Sequence, residues 1–211
     1  MSLLDVIRDP EAAARAGGQI TGVAVGIVTD NRDPEGLARV KVRMPWLAAD
    51  AESDWVKIAT LYAGDGRGSV WLPELDDEVL LAFEHGDVNY PYVIGALWNI
   101  QAKPPETNAD GRNDVKLVRS RSGHTVTFRD EAGRETVEIR SKGGHRIELS
   151  DAAGAERVTI SDHTGQNVLT LESMGGLVTL KAALRLTIEA PQVEITATGP
   201  LTLRGAVVNI N

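Results

Sequence analysis

Two histidines are the side chains of this sequence best suited to binding a metal ion. His124 and His145 each follow a glycine and occupy equivalent positions of a repeated pattern. In an assembly of three copies around one axis, each histidine would be present three times and could ligate a metal. The simpler interpretation, which we favour, is a turn residue that faces solvent. We therefore predict no metal site.

Carboxylates are numerous enough to raise the question of acid–base hydrolysis, which uses a pair of them. The candidates recur with the strand period in turns or on the outward face, and we interpret them as solvated surface: Asp130, Glu131, Glu135, Asp151 and Asp162. The densest acidic cluster lacks the ligand spacing and glycine of an EF-hand loop and is interpreted as a charged loop: Glu74, Asp76, Asp77 and Glu78. We predict no catalytic residue.

The four tryptophans could stack on bases or sugars: Trp46, Trp55, Trp71 and Trp98. Residues 1–119 carry 19 acidic and 12 basic residues, and the whole chain has a formal net charge of −8. Because non-specific nucleic-acid binding needs a basic surface, we expect no nucleic-acid partner and assign the tryptophans to core or interface packing. The sequence has no cysteine, no glycine-rich phosphate loop and no nucleophile elbow, so no cofactor is predicted.

A repeat in the last ninety residues must position most of the candidate histidines and carboxylates. An apolar, a polar and a second apolar residue recur ten times, which places both apolar side chains on one face of a β-strand. The repeat shortens from 11 to 7 residues towards the C-terminus, and glycines separate its earlier units. The apolar pairs are Val126/Phe128, Val137/Ile139, Ile147/Leu149, Val158/Ile160, Leu169/Leu171, Val178/Leu180, Leu186/Ile188, Val193/Ile195, Leu201/Leu203 and Val208/Ile210.

The first half of the chain has a different organisation. Five or six short strand-like runs, separated by glycine turns between residues 20 and 98, predict a small closed β-barrel. We divide the chain into an N-terminal arm at 1–19 with a short helix, a barrel domain at 20–99, a linker at 100–119 and the repeat at 120–211. The N-terminus lacks the pattern of a signal peptide, and no apolar run has the length of a membrane span.

The repeat cannot bury its apolar residues as a flat, single-chain meander, because one whole face would remain exposed. The chain could coil on itself as a solenoid, or several copies could wrap around one axis. The near-identity of the units and the absence of a distinct end cap before Ile210 favour an intertwined trimer.

Residues 20–99 resemble the oligonucleotide/oligosaccharide-binding (OB) fold domain of contractile-tail spike proteins. This family includes phage baseplate assembly protein V, the VgrG proteins of type VI secretion and the spikes of extracellular contractile injection systems. Residues 119–145 resemble the start of the family's β-helix. The stretches that carry the likeness of the barrel domain are Gly26-Ile27-Val28, Asp33-Pro34-Glu35-Gly36, Arg39-Val40-Lys41-Val42, Met44-Pro45-Trp46, Ser53-Asp54-Trp55-Val56, Ala63-Gly64, Leu72-Pro73-Glu74, Asp77-Glu78-Val79-Leu80, Gly86-Asp87, Pro91-Tyr92-Val93-Ile94-Gly95 and Leu97-Trp98-Asn99.

The resemblance implies an all-β fold, in which the OB barrel precedes an intertwined triple-stranded β-helix of a homotrimer. It also implies a tail hub or baseplate partner, bound through the arm and the OB domain, and mechanical puncture of a target membrane. Asp76 stands where the family usually has glycine. Because the chain has no histidine after His163, the iron site of some phage tips is not expected. A separate PAAR-type tip protein is expected at Val207, Val208, Asn209, Ile210 and Asn211.

These features predict a structural spike and not an enzyme. We expect assembly in the bacterial cytoplasm, as part of a phage tail, a secretion-system baseplate or a released phage tail-like particle. The alternative is an OB module that binds sugar or nucleic acid on a β-solenoid stalk. A third hypothesis is an enzyme similar to solenoid polysaccharide lyases or hydrolases.

Overall fold

The computed structural model describes residues 20–209, and the predicted N-terminal arm at 1–19 lies outside them. The chain divides into two compact units, with the boundary between Pro104 and Pro105. The secondary structure of the described residues is β-strand apart from one short 3-10 turn, Glu84–Gly86. The predicted all-β class is therefore confirmed. Among residues 20–209, no helix is long and apolar enough to cross a membrane.

The first unit is a barrel of five main strands and one small hairpin. Strand order is β2-β1-β6-β7-β3, and all neighbours are antiparallel except β3 and β7, which are parallel. Val40 and Val56 close the barrel, since each donates its backbone N–H to the other's carbonyl at 3.1 and 2.7 Å. The strands are β1 (Val23–Asp30), β2 (Lys41–Arg43), β3 (Lys57–Ile58), β4 (Ala63–Gly64), β5 (Arg67–Gly68), β6 (Glu78–Phe83) and β7 (Pro91–Leu97).

The barrel core follows from the period-two alternation of the strands. Every second side chain of β2 and β6 points inward and is buried, which removes aliphatic surface from water. The interior is almost entirely aliphatic: Val28, Val40, Val42, Met44, Val56, Val79, Leu81 and Val93. Gly26 adjoins this interior at a point with no room for a side chain. A Cβ at that position would lie 2.9 Å from Leu81 Cδ1.

The second unit contains one seven-stranded antiparallel sheet in which every strand pairs with the strands next to it in sequence. The order β14-β13-β12-β11-β10-β9-β8 is that of a simple meander. The strands are β8 (Val115–Arg119), β9 (Thr125–Arg129), β10 (Thr136–Arg140), β11 (Arg146–Ser150), β12 (Arg157–Ser161), β13 (Val168–Glu172) and β14 (Leu177–Lys181).

Three features of this sheet differ from the sequence predictions. Strand β8 lies inside the segment 100–119 that was predicted as linker. Residues 115–181 pair within one chain, whereas we had predicted strands of three chains interlaced with one another. Residues 182–209, which carry the later apolar pairs from Leu186/Ile188 onward, contain no strand.

Strand β8 was missed because its apolar residues have the opposite phase. Val115 and Leu117 are in register with Arg129 and Thr127 of β9, so they lie on the face that the other strands fill with polar side chains. A search for apolar residues in the phase of the later repeats therefore does not find this strand.

Candidate assembly surface

The twelve apolar residues of the first six repeat units lie on one face of the second unit's sheet, which we call the apolar face. Register aligns them across neighbouring strands: Val137 pairs with Phe128 on one side and with Leu149 on the other. The same pairing continues through β14, where Leu171 faces Val178. In-register pairs of this kind are the main source of side-chain stabilisation within a sheet.

The apolar face is open to solvent in the single chain. Eight of its twelve side chains are between 38% and 65% exposed: Phe128, Ile139, Ile147, Leu149, Ile160, Leu171, Val178 and Leu180. A shallow groove on this face is lined by apolar side chains that include Ile139, Ile160 and Leu186. Eight exposed apolar side chains that share one face of a sheet mark an interaction site.

The opposite face is polar and, in its first strands, better covered. Thr127 and Ser150 are only 6% and 5% exposed. Pro105 and Glu106 line the same cleft as Thr127 and Glu138, so the segment that precedes β8 shields part of this face. An antiparallel sheet with one solvated face usually covers its apolar face and exposes its polar face. In the isolated chain the polar face is the better covered of the two.

Arginines balance two carboxylates on the polar face. Glu138 and Glu148 are direct cross-strand partners, an arrangement that repels when nothing lies between the charges. Arg146 Nη1 contacts Glu138 Oε2 at 3.5 Å and Glu148 Oε2 at 3.3 Å, and Arg157 Nη2 lies 3.7 Å from Glu148 Oε1. This network fixes the polar face without any donor from another chain.

His124 and His145 have different partners in the structure. His124 Nδ1 accepts a hydrogen bond from the backbone N–H of Lys142 at 3.2 Å. His145 instead packs edge-on against His163, with ring centroids 5.3 Å apart. Among the residues that the structure describes, no group of three or more His, Asp or Glu side chains could hold a metal ion.

Two of the candidate carboxylates accept hydrogen bonds within their own turns. The backbone N–H of Glu135 itself and that of Gly133, which lies 3.1 Å from Glu135 Oε1, lower the pKa of Glu135. Asp162 accepts from Thr164 Oγ1 at 2.8 Å and from Asn167 Nδ2 at 2.9 Å, which holds its pKa far below the ordinary value. Both are turn-stabilising acceptors.

The acidic cluster at 74–78 is a turn in which the carboxylates have separate partners. Asp77 Oδ2 accepts from the backbone N–H of Glu74 at 2.9 Å, and Glu78 Oε1 accepts from Asn99 Nδ2 at 2.8 Å. Asp76 has a φ of +69°, in the left-handed region that glycine adopts at least cost. This explains physically why a glycine is usual at this position in the resembling family.

The tryptophans fall into two groups. Trp46 donates from Nε1 to the Val25 carbonyl at 3.0 Å and packs edge-on against Phe83, while Lys41 Nζ lies 5.5 Å from the Trp55 ring centroid. Trp71 and Trp98 are exposed. Trp71 lines an apolar groove beside the β4–β5 hairpin together with Leu61 and Val70.

One organised element of the barrel was predicted only as a turn. Asp33 accepts two hydrogen bonds from Arg39, Nε to Oδ2 and Nη2 to Oδ1, both at 2.8 Å. The Arg39 guanidinium, helped by the backbone N–H groups of Glu35 and Leu37, holds the pKa of Asp33 far below its ordinary value. The spacing of six residues between an acid and a base around Pro34-Glu35-Gly36 is the only sequence signal for this loop.

The predicted tip-binding residues lie in the segment without strands. Val207, Val208 and Asn209 are exposed, and Ile210 and Asn211 lie outside the described residues.

The fold and the exposed sheet define a class of protein, an OB-type domain followed by a β-repeat. Residues 24–98 match the family described as the type VI secretion system/phage-baseplate injector OB domain. The resemblance expected from the sequence is thereby confirmed for the barrel.

Curated relatives extend the likeness beyond the barrel. The chain is 26% identical over 136 residues to type VI secretion system spike protein VgrG3 of Vibrio cholerae, covering 61% of this chain and 13% of that protein. It is 28% identical over 133 residues to spike protein VgrG1a of Pseudomonas aeruginosa, covering 58% and 21%. It is also 24% identical over 137 residues to the actin cross-linking toxin VgrG1 of Vibrio cholerae, covering 61% and 12%. The chain thus matches only between 12% and 21% of these relatives' length.

Proposed function

We propose that this chain is a structural spike of a contractile injection apparatus, in which three copies form a rigid needle. The observation that carries this proposal is the apolar face, whose side chains are aligned in register and yet exposed in the single chain. These side chains are already about half buried in the single chain, so burying the rest against other copies contributes about half of the roughly 1.5–3 kcal/mol that full burial of a large aliphatic side chain gives. The likeness to spike proteins supports this use of the surface.

The needle has two parts in this proposal. Residues 115–181 already satisfy most of their backbone hydrogen bonds within the chain. This part of the chain therefore needs no strand from another copy, and three such sheets associate by packing their apolar faces together. Residues 182–209 continue the apolar pattern but lack strand partners of their own. Because unpaired backbone groups must find partners when they are buried, this segment interlaces with the same segment of the other copies.

Stiffness is the proposed mechanism. A strand held on both sides by neighbours cannot leave the sheet alone, so axial force reaches the tip without local unfolding and pierces the target envelope. The proposed function requires no catalytic group. The actin cross-linking toxin matches over only 12% of its length, and its named activity is not transferred to this chain.

The proposed partners are a tail hub above and a tip protein below. The arm at 1–19 and the barrel bind the hub, and the exposed apolar groove at Leu61, Val70 and Trp71 supplies barrel surface for this contact. Val207, Val208, Asn209, Ile210 and Asn211 receive the tip protein. Assembly takes place in the bacterial cytoplasm, within a tail or secretion-system baseplate.

Electron microscopy of the purified full-length chain tests the needle. The seven strands β8 to β14 and the four later repeat units make eleven strands, which at about 4.8 Å each give a rod on the order of 50 Å long with three-fold symmetry. Images of isolated globular particles without a rod contradict the proposal.

A separate observation supports a second function for the barrel, binding of a neutral oligosaccharide. Trp55, Tyr90 and Tyr92 line a cleft of about 220 Å³ together with Asp54 and Asn89. Aromatic faces beside carboxylate and amide groups are the chemistry that binds sugar rings. Quenching of tryptophan emission by an added oligosaccharide, abolished by Tyr90→Ala, is the result expected if this function exists.

A further inference from the structure

The two edges of the second unit's sheet carry opposite charge. In a meander, successive turns alternate between the two edges, so the turns 120–124, 141–145 and 162–167 share one edge. With the strand ends beside them, these residues include one acid, Asp162, and the bases Arg119, Arg121, Arg140, Lys142, Arg146 and Lys181. We call this the basic edge, and its net charge is +5.

The turns on the other side form the acidic edge. They occupy residues 130–135, 151–156 and 173–176, and their neighbours are the ends of β8 to β14 on that side. These residues include the bases Arg129, Arg134 and Arg157 and the acids Asp114, Asp130, Glu131, Glu135, Asp151, Glu156 and Glu172. The net charge of the acidic edge is −4.

We infer that the basic edge of one copy docks against the acidic edge of the next copy, and that this contact sets the parallel arrangement of the copies. The inference rests on the proposed function, since it needs copies that pack their apolar faces around one axis. When copies are related by rotation about the direction in which their strands stack, the basic edge of each copy meets the acidic edge of the next. When two sheets pack antiparallel, the basic edges meet each other and the acidic edges meet each other. Opposite charge therefore attracts in the first arrangement and repels in the second.

The turns of the two edges also fit each other in height. Each turn joins two neighbouring strands, so basic turns and acidic turns are offset by one strand, about 4.8 Å along the stack. In parallel copies at the same height, the basic turn 141–145 is level with the gap between the acidic turns 130–135 and 151–156. The residues that would make this contact are exposed in the single chain, so nothing among the described residues covers them: Lys142 on the basic edge, and Glu131 and Asp151 on the acidic edge.

Charge reversal in the full-length chain tests the inference. The basic-edge variant is Arg119→Glu with Lys142→Glu, the acidic-edge variant is Glu131→Lys with Asp151→Lys, and a third variant combines all four. Each two-residue variant removes most of the attraction between the edges, because the basic edge falls from +5 to +1 or the acidic edge rises from −4 to 0, and each exchanged residue then faces a like charge. At about 50 mM salt, either variant should therefore raise the monomer fraction about tenfold or more. The four-residue variant should recover assembly, because the charges at the exchanged positions are again opposite across the contact.

A matched control makes the same change of charge away from both edges. Asp50→Lys with Asp65→Lys raises the net charge as much as the acidic-edge variant does, at exposed positions of the barrel. This variant should assemble normally. All four tryptophans lie in the barrel, so unchanged tryptophan emission shows that each variant retains that unit.

The outcomes separate this inference from the proposed function. If the unmodified chain is monomeric, the proposed function and the edge contact both fail. If the unmodified chain is trimeric and the two-residue variants assemble equally well, only the edge contact is overturned. Failure of the four-residue variant to recover, after both two-residue variants are lost, also overturns it, because charge complementarity then does not explain the loss.

Discussion

At the scale of single residues, the barrel depends on a few side chains that fix its loops. Asp33 is almost completely buried, with its side chain 3% exposed, and holds Arg39 through two parallel hydrogen bonds. Such planar pairs combine charge with fixed geometry. The loop 33–39 therefore has one arrangement, and the barrel strands on either side of it are placed by that arrangement.

We predict that the barrel loses stability in acid through Asp33. Its pKa is lower in the folded chain than in the unfolded chain, so its contribution is complete above the unfolded pKa of about 4 and is lost as pH falls through the lower folded value. Asp33→Asn should lower the thermal midpoint at pH 7 and flatten the decline between about pH 4 and pH 2. Tryptophan emission during thermal unfolding measures both effects. An identical acid decline in the variant contradicts the assignment.

A second residue-scale prediction concerns the two glycines of the barrel strands β1 and β7. Gly26→Ala places a methyl group 2.9 Å from Leu81 Cδ1, whereas nothing lies within 4 Å of the Cβ position at Gly95. Overpacking of this kind costs about 1–3 kcal/mol. Denaturant unfolding should show that loss for Gly26→Ala and a much smaller change for Gly95→Ala. Equal changes would show that the close approach does not limit this position.

Several residue-scale features follow from the sequence, and others do not. The positions of the turn glycines and the burial of Val79 and Leu81 follow from period-two patterns. The pairing of His145 with His163 was not predicted, because it depends on which turns share an edge. The fold alone supplies that information, and the distance along the sequence gives no hint of it.

At the scale of elements, the repeat specifies faces more firmly than neighbours. The polar residue between each apolar pair fixes which face a side chain occupies, and the register of β9 to β14 agrees with that prediction at every strand. Whether a strand pairs within its own chain or with another copy depends on the connections. The glycine turns up to Gly176 allow the chain to reverse, and strand pairing within the chain ends at Lys181.

A charged side chain on the apolar face should prevent assembly. Ile160 is on this face and 44% exposed, while its neighbour Thr159 lies on the polar face. We predict that Ile160→Asp abolishes trimer formation, because an isolated carboxylate cannot be buried between copies without a large desolvation cost. Thr159→Asp should be tolerated. Size-exclusion chromatography with light scattering compares the two, and equal behaviour would mean that the two faces are assigned wrongly.

The polar face gives a prediction about the stability of the second unit, measured in the Ile160→Asp background so that association of copies does not contribute. Arg146 separates Glu138 from Glu148, so Arg146→Ala leaves two half-buried carboxylates side by side. We expect a loss of about 1–2 kcal/mol in the stability of the second unit. Hydrogen exchange of β10 and β11 amides measures this loss, with the exposed Arg134→Ala as the control. Unchanged protection in Arg146→Ala argues against the network.

At the scale of the whole molecule, the proposed assembly accounts for three features of the second unit together. Its aligned apolar side chains are exposed, its last segment lacks strand partners among the described residues, and its edges carry opposite charge. In the proposed parallel association, the apolar side chains are buried, the last segments pair with one another and unlike edges meet.

Three copies that associate through the apolar face have three times the mass of one copy, so the mass of this 211-residue chain in solution reports the association. Static light scattering on the purified chain should give three times the 22.6 kDa mass of one copy, and dilution over the micromolar range should leave that value unchanged. A mass of 22.6 kDa, constant over the same range, would contradict the account.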